Sequence, residues 1–502
     1  LRAPLSGWAR NSGADHPSGN LPLAGLSRSS SETLLTPTSL ETGRTPHNSE
    51  NQSPRSHQKE ILSLAIPAML AIASEPIFIL ADTAMIGRLG IEPLAARAIA
   101  SSLIGAIYWI FAFLIFGTTT LVGYHRGANE PEICGEICLH ALFLAAVGGI
   151  AVSILGILFA PHLYVLMGAE PEVLALGATY FRIRIAGTPF TFLLFATVGF
   201  LRGIQDTRTP MVIAFVVNGL NLVLDYLLIY GGLGLPAMGL RGAGIATLTS
   251  QILAGTICLA VVFFSSHTSR YRLNRWRFNA RRFLSLSRIG RDLAIRTGAL
   301  RFSLVFATGS VARMGTVSLS SHEIALQLFL LSSDTIDGIA VAGQTLAAKH
   351  LGANRPDKAY QMGKILILCG CVAGLIFGFG YILLKQPLIA LFTRSPEVVE
   401  VLGIAIFVLL ALFQPVNGGV FTSDGFLIGA HDTRYLMWAM LIGALGIFVP
   451  ITWISLRYDL GLLGVWTGLS LLMAWRLVTN LFRFFSKRWE AAFPVNTSSH
   501  PN

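Results

Sequence analysis

The chain has 502 residues, 53% hydrophobic and only 13% charged, with a mean hydropathy of +0.63. Soluble domains carry roughly 25% charged residues, so a soluble globular protein is excluded and an integral membrane protein is implied. The net charge of +11 would suit nucleic acid, but eight arginines fall between Arg270 and Arg291, between two apolar segments. A loop held against anionic headgroups accounts for them, and no nucleic-acid partner is expected.

Residues 1–58 are rich in Ser, Thr, Pro, Asn and Gly, with no apolar run. Such a segment cannot bury enough surface to offset its ordering entropy, and disorder is expected. It lacks a signal peptide's apolar core. Its Ser-rich, modestly basic composition allows a transit peptide, against which Asp15, Glu32, Glu41 and Glu50 count.

From Ile61 the hydropathy pattern predicts twelve spans, near 61–86, 98–122, 138–160, 179–201, 210–230, 241–264, 292–314, 321–347, 363–384, 399–422, 435–456 and 460–483. A helix needs about 20 apolar residues to cross roughly 30 Å of hydrocarbon. Arg296, Arg301 and Arg313 interrupt the seventh span, and Arg476 interrupts the twelfth. Loops after even-numbered spans carry 16 Lys and Arg and those after odd-numbered spans 7, which places the even loops and both termini in the cytoplasm. A bacterial-type inner membrane is expected ahead of a plastid membrane.

The chain repeats itself. Gly199–Arg208 reads GFLRGIQDTR and Gly425–Arg434 reads GFLIGAHDTR, an offset of 226. Gly127-Ala128-Asn129 recurs as Gly352-Ala353-Asn354, and Pro171-Glu172-Val173 as Pro396-Glu397-Val398, each at 225. Three matches at one spacing predict two halves of six spans each. An even number of spans inserts both halves the same way up, the parallel-repeat plan of some secondary transporters, with a binding cavity between them. The expected division is an N-lobe at 59–266, a basic linker at 267–291, a C-lobe at 292–486 and a tail at 487–502.

Polar residues inside the spans mark candidate sites, because a charge at the bilayer centre costs about 2.5–3.5 kcal/mol on insertion scales. Glu75 and Asp82 lie seven residues apart in the first span and share a helical face. Asn218, Asn221 and Asp225 form a stripe on the fifth. Neutral Asn alone serves as interhelical glue, but Asp225 must be protonated, paired or bound to a cation. Depth places Asp82 and Asp225 in the outer halves of their spans, level with Thr247 and Thr249 of the sixth. Asp82, Asn221, Asp225 and Thr247 are therefore expected to meet. Two carboxylates, an amide and a hydroxyl suit a proton or Na⁺, since a hard cation prefers oxygen ligands. No other metal and no cofactor is expected: the cysteines, Cys134, Cys138, Cys258, Cys369 and Cys371, form neither a zinc set nor a disulfide framework.

These residues resemble the multidrug and toxic compound extrusion (MATE) family, in particular its DinF-like branch. The resemblance rests on EPIFILADTAMIGRLG (75–90), YFRIRIAGTPF (180–190), GFLRGIQDTRTP (199–210), NGLNLVLDYLLIY (218–230), GAGIATLTSQ (242–251) and LQLFLLSSDTIDGIAVAGQ (326–344). It implies an all-α membrane protein with two six-helix lobes that work by alternating access, exporting cationic or amphipathic organic compounds in exchange for H⁺ or Na⁺. Asp82 falls on the family's acid in the first helix, Asn221 and Asp225 on its polar pair in the fifth, and Thr247 on the hydroxyl of the sixth. Pro67 matches a proline at which the first helix bends, although a proline in a helix's first turn is also tolerated without a kink. Gln344 stands where the branch is expected to carry Glu.

The remaining polar residues stay open. Asp334 and Asp337 in the eighth span either line a cavity for cationic substrate or pair with Arg301 or Arg313. Arg182 and Arg184, expected to begin the fourth span, are buried partners or snorkel to the interface. Glu75 is a partner for one of them or part of the cavity wall. The repeated Asp-Thr-Arg suits turn capping and docking better than chemistry. A lipid-linked oligosaccharide flippase of the same superfamily is the transport alternative, disfavoured because the named spans supply acids rather than cations. No His-Glu-x-x-His or Gly-x-Ser-x-Gly is present, and no enzyme activity is expected. The expected partners are a small organic substrate and membrane lipids, with the chain acting as a monomer.

Overall fold

The computed structural model describes residues 54–272, 278–393 and 395–492. The expectation of disorder for 1–58 falls, up to residue 53, outside the described residues, and so does the tail beyond 492. The first repeat comprises α1 (Pro54–Gly87), α2 (Ile91–Phe111), α3 (Phe113–Gly127), α4 (Pro131–Leu166), α5 (Pro171–Ile185), α6 (Thr188–Gly203), α7 (Arg208–Tyr230) and α8 (Leu240–Phe264). The second comprises α9 (Ala280–Ala312), α10 (Thr316–Gly352), α11 (Pro356–Leu383), α12 (Lys385–Phe392), α13 (Pro396–Leu402), α14 (Ile404–Gly429), α15 (Thr433–Ile442), α16 (Val449–Arg457) and α17 (Gly461–Phe485). A π-helical turn, Gly443–Phe448, joins α15 to α16.

Among the described residues ten helical stretches are long and apolar enough to cross a membrane, two of them α2 running on into α3 and α15 running on into α16, and α5 with α6, bent by 43°, makes an eleventh. The bend follows from sequence: Gly187 ends one helix and Pro189, which has no amide hydrogen, starts the next. The seventh predicted span is α9, helical over 33 residues but too polar to satisfy the same test. It begins at Ala280, so the arginines at 281, 282, 288 and 291 ride on a helix rather than a loop. Prolines at the first helical positions of α4, α5, α6, α11 and α13 fix where those helices start, several residues before the apolar runs.

The repeated motifs are matching turns. Asn129 and Asn354 end α3 and α10 in the left-handed region, at φ +60° and +55°, and Gln205 and His431 end α6 and α14 at +64° each. The closing bonds match too: Glu130 N donates to His125 O and Arg355 N to His350 O, both at 2.9 Å. Left-handed C-terminal turns of this kind satisfy carbonyls that a helix end would orphan.

The first helix of each repeat leans on the opposite lobe. Ile61, Leu64 and Ala65 of α1 are buried with Ile339, Ala342 and Leu366 of α10 and α11. Tyr230 of α7 then donates to the Met85 carbonyl, at 2.7 Å, tying the other end of α1 to its own lobe. In the same way Leu286 and Ile289 of α9 pack into the core of α3, α4 and α6. Arg282 of α9 pairs with Glu136 of α4. Helix α1 starts at Pro54, so Pro67 lies well inside it and the first-turn reading does not hold. Pro67 and Pro76 each remove one i→i−4 bond within a helix that continues through both.

The lobes meet most tightly at the end carrying the Gly-Ala-Asn turns. A Cβ on Gly352 would collide with the Tyr124 carbonyl, and one on Gly127 with the Lys349 carbonyl, so backbone lies against backbone there. Thr120 of α3 donates to Ile428 O at 3.0 Å, and Lys349 pairs with Glu60 at 2.7 Å. Phe426, Phe484 and Trp489 of the second repeat share one buried core with Leu121, Val122 and Phe200 of the first.

Candidate functional site

Toward the opposite end of the N-terminal lobe lies a pocket of buried charge. Asp225, near the end of α7, is 0% exposed, and neither of its carboxylate oxygens has a hydrogen-bond partner. The amide nitrogen of Asn221, one turn earlier, is likewise buried without a partner. Asp82 is not free. Its Oδ2 accepts from Arg97 Nε at 3.0 Å and from a terminal guanidinium nitrogen at 2.7 Å. Arg97 is 7% exposed and belongs to the second turn of α2. Arg184, beside the α5–α6 bend, reaches toward the Tyr180 hydroxyl at 3.4 Å and keeps Nε buried without a partner. Asp225 thus sits within electrostatic reach of one acid, Asp82, and two arginines, Arg184 and Arg97.

Thr247 bonds back to its own helix, at 3.0 Å to Ala243 O, and no hydrogen bond joins it to Asp82, Asn221 or Asp225. Thr249 is exposed and turned away, and Asn218 is half-buried. Of the four residues expected to meet, Asp82 and Asp225 come within electrostatic reach of each other with Arg97 in reach of both, Asn221 stands one turn from Asp225, and Thr247 bonds to none of them. By hydropathy Arg97 reads as a loop charge, because the uncharged run begins at Ala98. Gly90 followed by Pro93 marks an earlier helix start that places Arg97 inside. Arg182 and Arg184 stand in the last turn of α5, midway through the bent fourth span, rather than at its beginning. Only Arg184 turns inward, while Arg182 is exposed and donates to Ile157 O at 3.2 Å.

A second site lies between the lobes, in a cavity of about 1010 Å³ including its open part. Asp334, Asp337 and Gln344 line it, together with Asp424 of α14. So do four arginines: Arg202 of α6, Arg296 and Arg301 of α9, and Arg476 of α17. Asp424, 4% exposed, takes Arg296 and Arg476 on Oδ2 and the Asn480 amide on Oδ1 at 2.8 Å. This three-residue charge cluster explains how Arg476 is accommodated in an otherwise apolar helix. Arg301 lies over the Trp109 ring, 4.1 Å from its centroid, and within electrostatic reach of Asp334. Arg313, the other partner considered for the eighth span, is exposed at the end of α9. Arg202 stands within reach of Asp337.

Gln344 faces the cavity, but its amide donates to Phe116 O at 2.6 Å and Thr120 Oγ1 at 2.9 Å, so it fastens α10 to α3. Glu75 is exposed and lies within reach of Asp334 rather than of Arg182 or Arg184. The expectation of a cavity supplied chiefly with acids is therefore corrected: its charged lining is four arginines and three aspartates. Arg202 and Asp424 were missed, yet a signal existed. Aligned by the repeat, they fall opposite Ile428 and Val198, where the two copies of the motif diverge. No group of three or more His, Cys, Asp or Glu able to hold a metal occurs among the described residues.

Two lobes of parallel repeats, with a charged cavity between them, define a membrane transporter of the two-repeat type. The MatE family model matches residues 67–227 and 299–454, and the chain belongs to that family. It is 26% identical to the probable multidrug resistance protein NorM of Thermotoga maritima, over 86% of this chain and 93% of that one. It is 28% identical to Protein DETOXIFICATION 44, chloroplastic, of Arabidopsis thaliana, over 88% and 87%. It is 25% identical to DNA damage-inducible protein F of Escherichia coli, over 84% and 92%. Its fold matches an outward-facing multidrug resistance MATE family transporter of the MOP superfamily with a TM-score of 0.79, at 23% identity, over 87% of this chain and 97% of that one.

Proposed function

We propose that the protein is a proton-coupled antiporter that exports amphipathic organic compounds by alternating access, with Asp225 as the group that carries the proton. The observation behind this reading is a fully buried carboxylate without a partner, beside an Asp82 already held by Arg97. An ionised carboxylate in that place would lack both water and hydrogen bonds, so a bound proton removes a penalty of several kcal/mol. Sodium fits less well. A hard cation wants several oxygens, and here one Asp82 oxygen faces a guanidinium while Arg184 repels a second positive charge.

The coupling follows from that arrangement. When Asp225 releases its proton, the new charge attracts Arg184 and competes with Asp82 for Arg97. Those residues sit on α7, α5, α1 and α2, so the exchange of partners changes how these helices pack. Helix α1 also packs on α10 and α11, which carries the change to the other lobe. The lobes lie backbone against backbone at the Gly-Ala-Asn end, which supports reading that end as the sealed one, with solute entering from the other. By the charge count the sealed end is cytoplasmic.

Purified protein in proteoliposomes tests the coupling: an imposed pH gradient drives substrate flux and a sodium gradient does not. Sodium-driven flux at uniform pH would overturn it. In cells, expression in a drug-hypersensitive bacterium raises tolerance to amphipathic compounds, and Asp82→Asn or Asp225→Asn abolishes that. The flippase reading regains ground from the four arginines, and it would replace this one if lipid-linked sugar phosphates moved and small amphipaths did not. For location, a bacterial-type inner membrane competes with the plastid envelope suggested by the chloroplast relative, and a tagged full-length chain decides between them.

A further inference from the structure

Among the charged groups of the central cavity, the arginines differ in what holds them. Arg296 and Arg476 converge on one carboxylate, Asp424. Arg202 and Arg301 make no hydrogen bond to an acid among the described residues. Asp337 and Asp334 stand within electrostatic reach of them but not in contact. Two guanidinium forks, one from each lobe, therefore line the cavity with their donors unengaged. With every acid ionised, four arginines against three aspartates leave one positive charge in excess. Aromatic rings complete the wall, Trp109 and Phe116 on one lobe and Phe329 and Phe421 on the other.

A guanidinium fork matches the planar or tetrahedral oxygens of carboxylates and phosphates. A purely cationic ligand would meet these arginines as like charge. From this we infer that the cavity takes amphipathic organic anions, whose carboxylate or phosphate group bridges Arg202 and Arg301 while an apolar body rests on the aromatic walls. The inference builds on the cavity being the transport site. It also gives the ligand a mechanical effect: an anion between Arg202 of α6 and Arg301 of α9 joins the lobes while Asp334 and Asp337 are relieved of those partners.

Three probes of one size test it on the reconstituted full chain: 2-naphthoate, 2-naphthyl phosphate and 2-naphthylmethylammonium. The expected order is both anions at least about tenfold tighter than the ammonium, since hydrogen bonds to charged groups contribute about 1.5–3 kcal/mol. The two anions distinguish carboxylate from phosphate as the preferred head. Arg202→Gln and Arg301→Gln each reduce anion affinity about tenfold, and Arg313→Gln, at an exposed site on the same helix, changes nothing. Should either glutamine variant fail to fold, the wild-type order alone decides. The ammonium binding as tightly as the anions, or an anion preference that survives in both folded variants, overturns the inference.

Flux separates this from the antiport reading. Anions that bind but do not move under a pH gradient leave the cavity assignment standing and sink proton coupling. Proton-driven flux of the ammonium, bound more tightly than either anion, does the reverse.

Discussion

Asp225 and Asp424 are both fully enclosed acids, one in each lobe, and they are treated in opposite ways. Asp424 has two guanidiniums and an amide. Asp225 has no partner on either oxygen. A carboxylate satisfied on every side is fixed by its surroundings and belongs to the scaffold. One left unsatisfied responds to protonation or to movement of a neighbouring charge, and belongs to the switch. The lobes descend from one repeat, yet among the described residues only the first holds a fully enclosed acid with both oxygens unpartnered.

The sharpest way to break that contrast is to remove each acid in turn. Asp424→Leu leaves Arg296 and Arg476 buried and unneutralised, and removing one partner of a buried ion pair costs about 3–5 kcal/mol. The expected outcome is a large fall in melting temperature or in monodisperse yield in detergent. Asp225→Asn replaces an unpartnered acid by a neutral group of equal size. Its melting temperature should be unchanged while proton-driven flux falls to background. A well-folded Asp424→Leu, or a Asp225→Asn that unfolds, would show that the scaffold and the switch have been assigned the wrong way round.

The closed end gives a smaller effect. Gly352→Val places a side chain against the Tyr124 carbonyl, where backbone must shift. Forcing extra atoms into a packed site costs typically about 1–3 kcal/mol, and here only the conformation with this end sealed bears that cost. Transport should slow several-fold, and accessibility of Cys134, buried beside α3, to a thiol reagent should rise. Unchanged accessibility would mean that the contact is not a barrier between two states.

How far the sequence led can be judged from particular residues. The spans were legible because apolar runs are local signals, and the two halves because the repeat places Asn129 opposite Asn354 and Gln205 opposite His431, although the left-handed turns at those residues are seen only in the structure. Asp225 was legible as an anomaly in an apolar helix. Its neighbours were not. Arg97 sits at the edge of an uncharged run, Asp424 immediately after one, and Arg202 inside a motif read as a turn. Each looked like a boundary charge, because hydropathy reports the composition of a segment and not which side of a helix end a residue occupies. The partnership between Asp82 and Arg97, 15 residues apart across a turn, needed the packing of α1 against α2. Comparing the two copies for difference, rather than for identity, would have exposed Arg202 and Asp424.

The repeated Asp-Thr-Arg turns offer the finest version of the same comparison. Asp206 accepts the amides of Arg208 and Thr209, at 3.1 and 2.9 Å, and so satisfies donors at the start of α7. Asp432 instead binds Arg483 of α17, at 2.5 and 3.2 Å, and ties α15 to the last span. Asp206→Ala should cost about 0.5–2 kcal/mol, the range for losing a capping side chain, and Asp206→Asn far less because an amide oxygen accepts the same bonds. At Asp432 the order changes. Asparagine keeps one hydrogen bond but loses the charge that faces Arg483, so Asp432→Asn should be nearly as damaging as Asp432→Ala. Melting temperatures of the four variants decide it. Equal behaviour of the two asparagine variants would mean that the turns still share one role, despite their different partners.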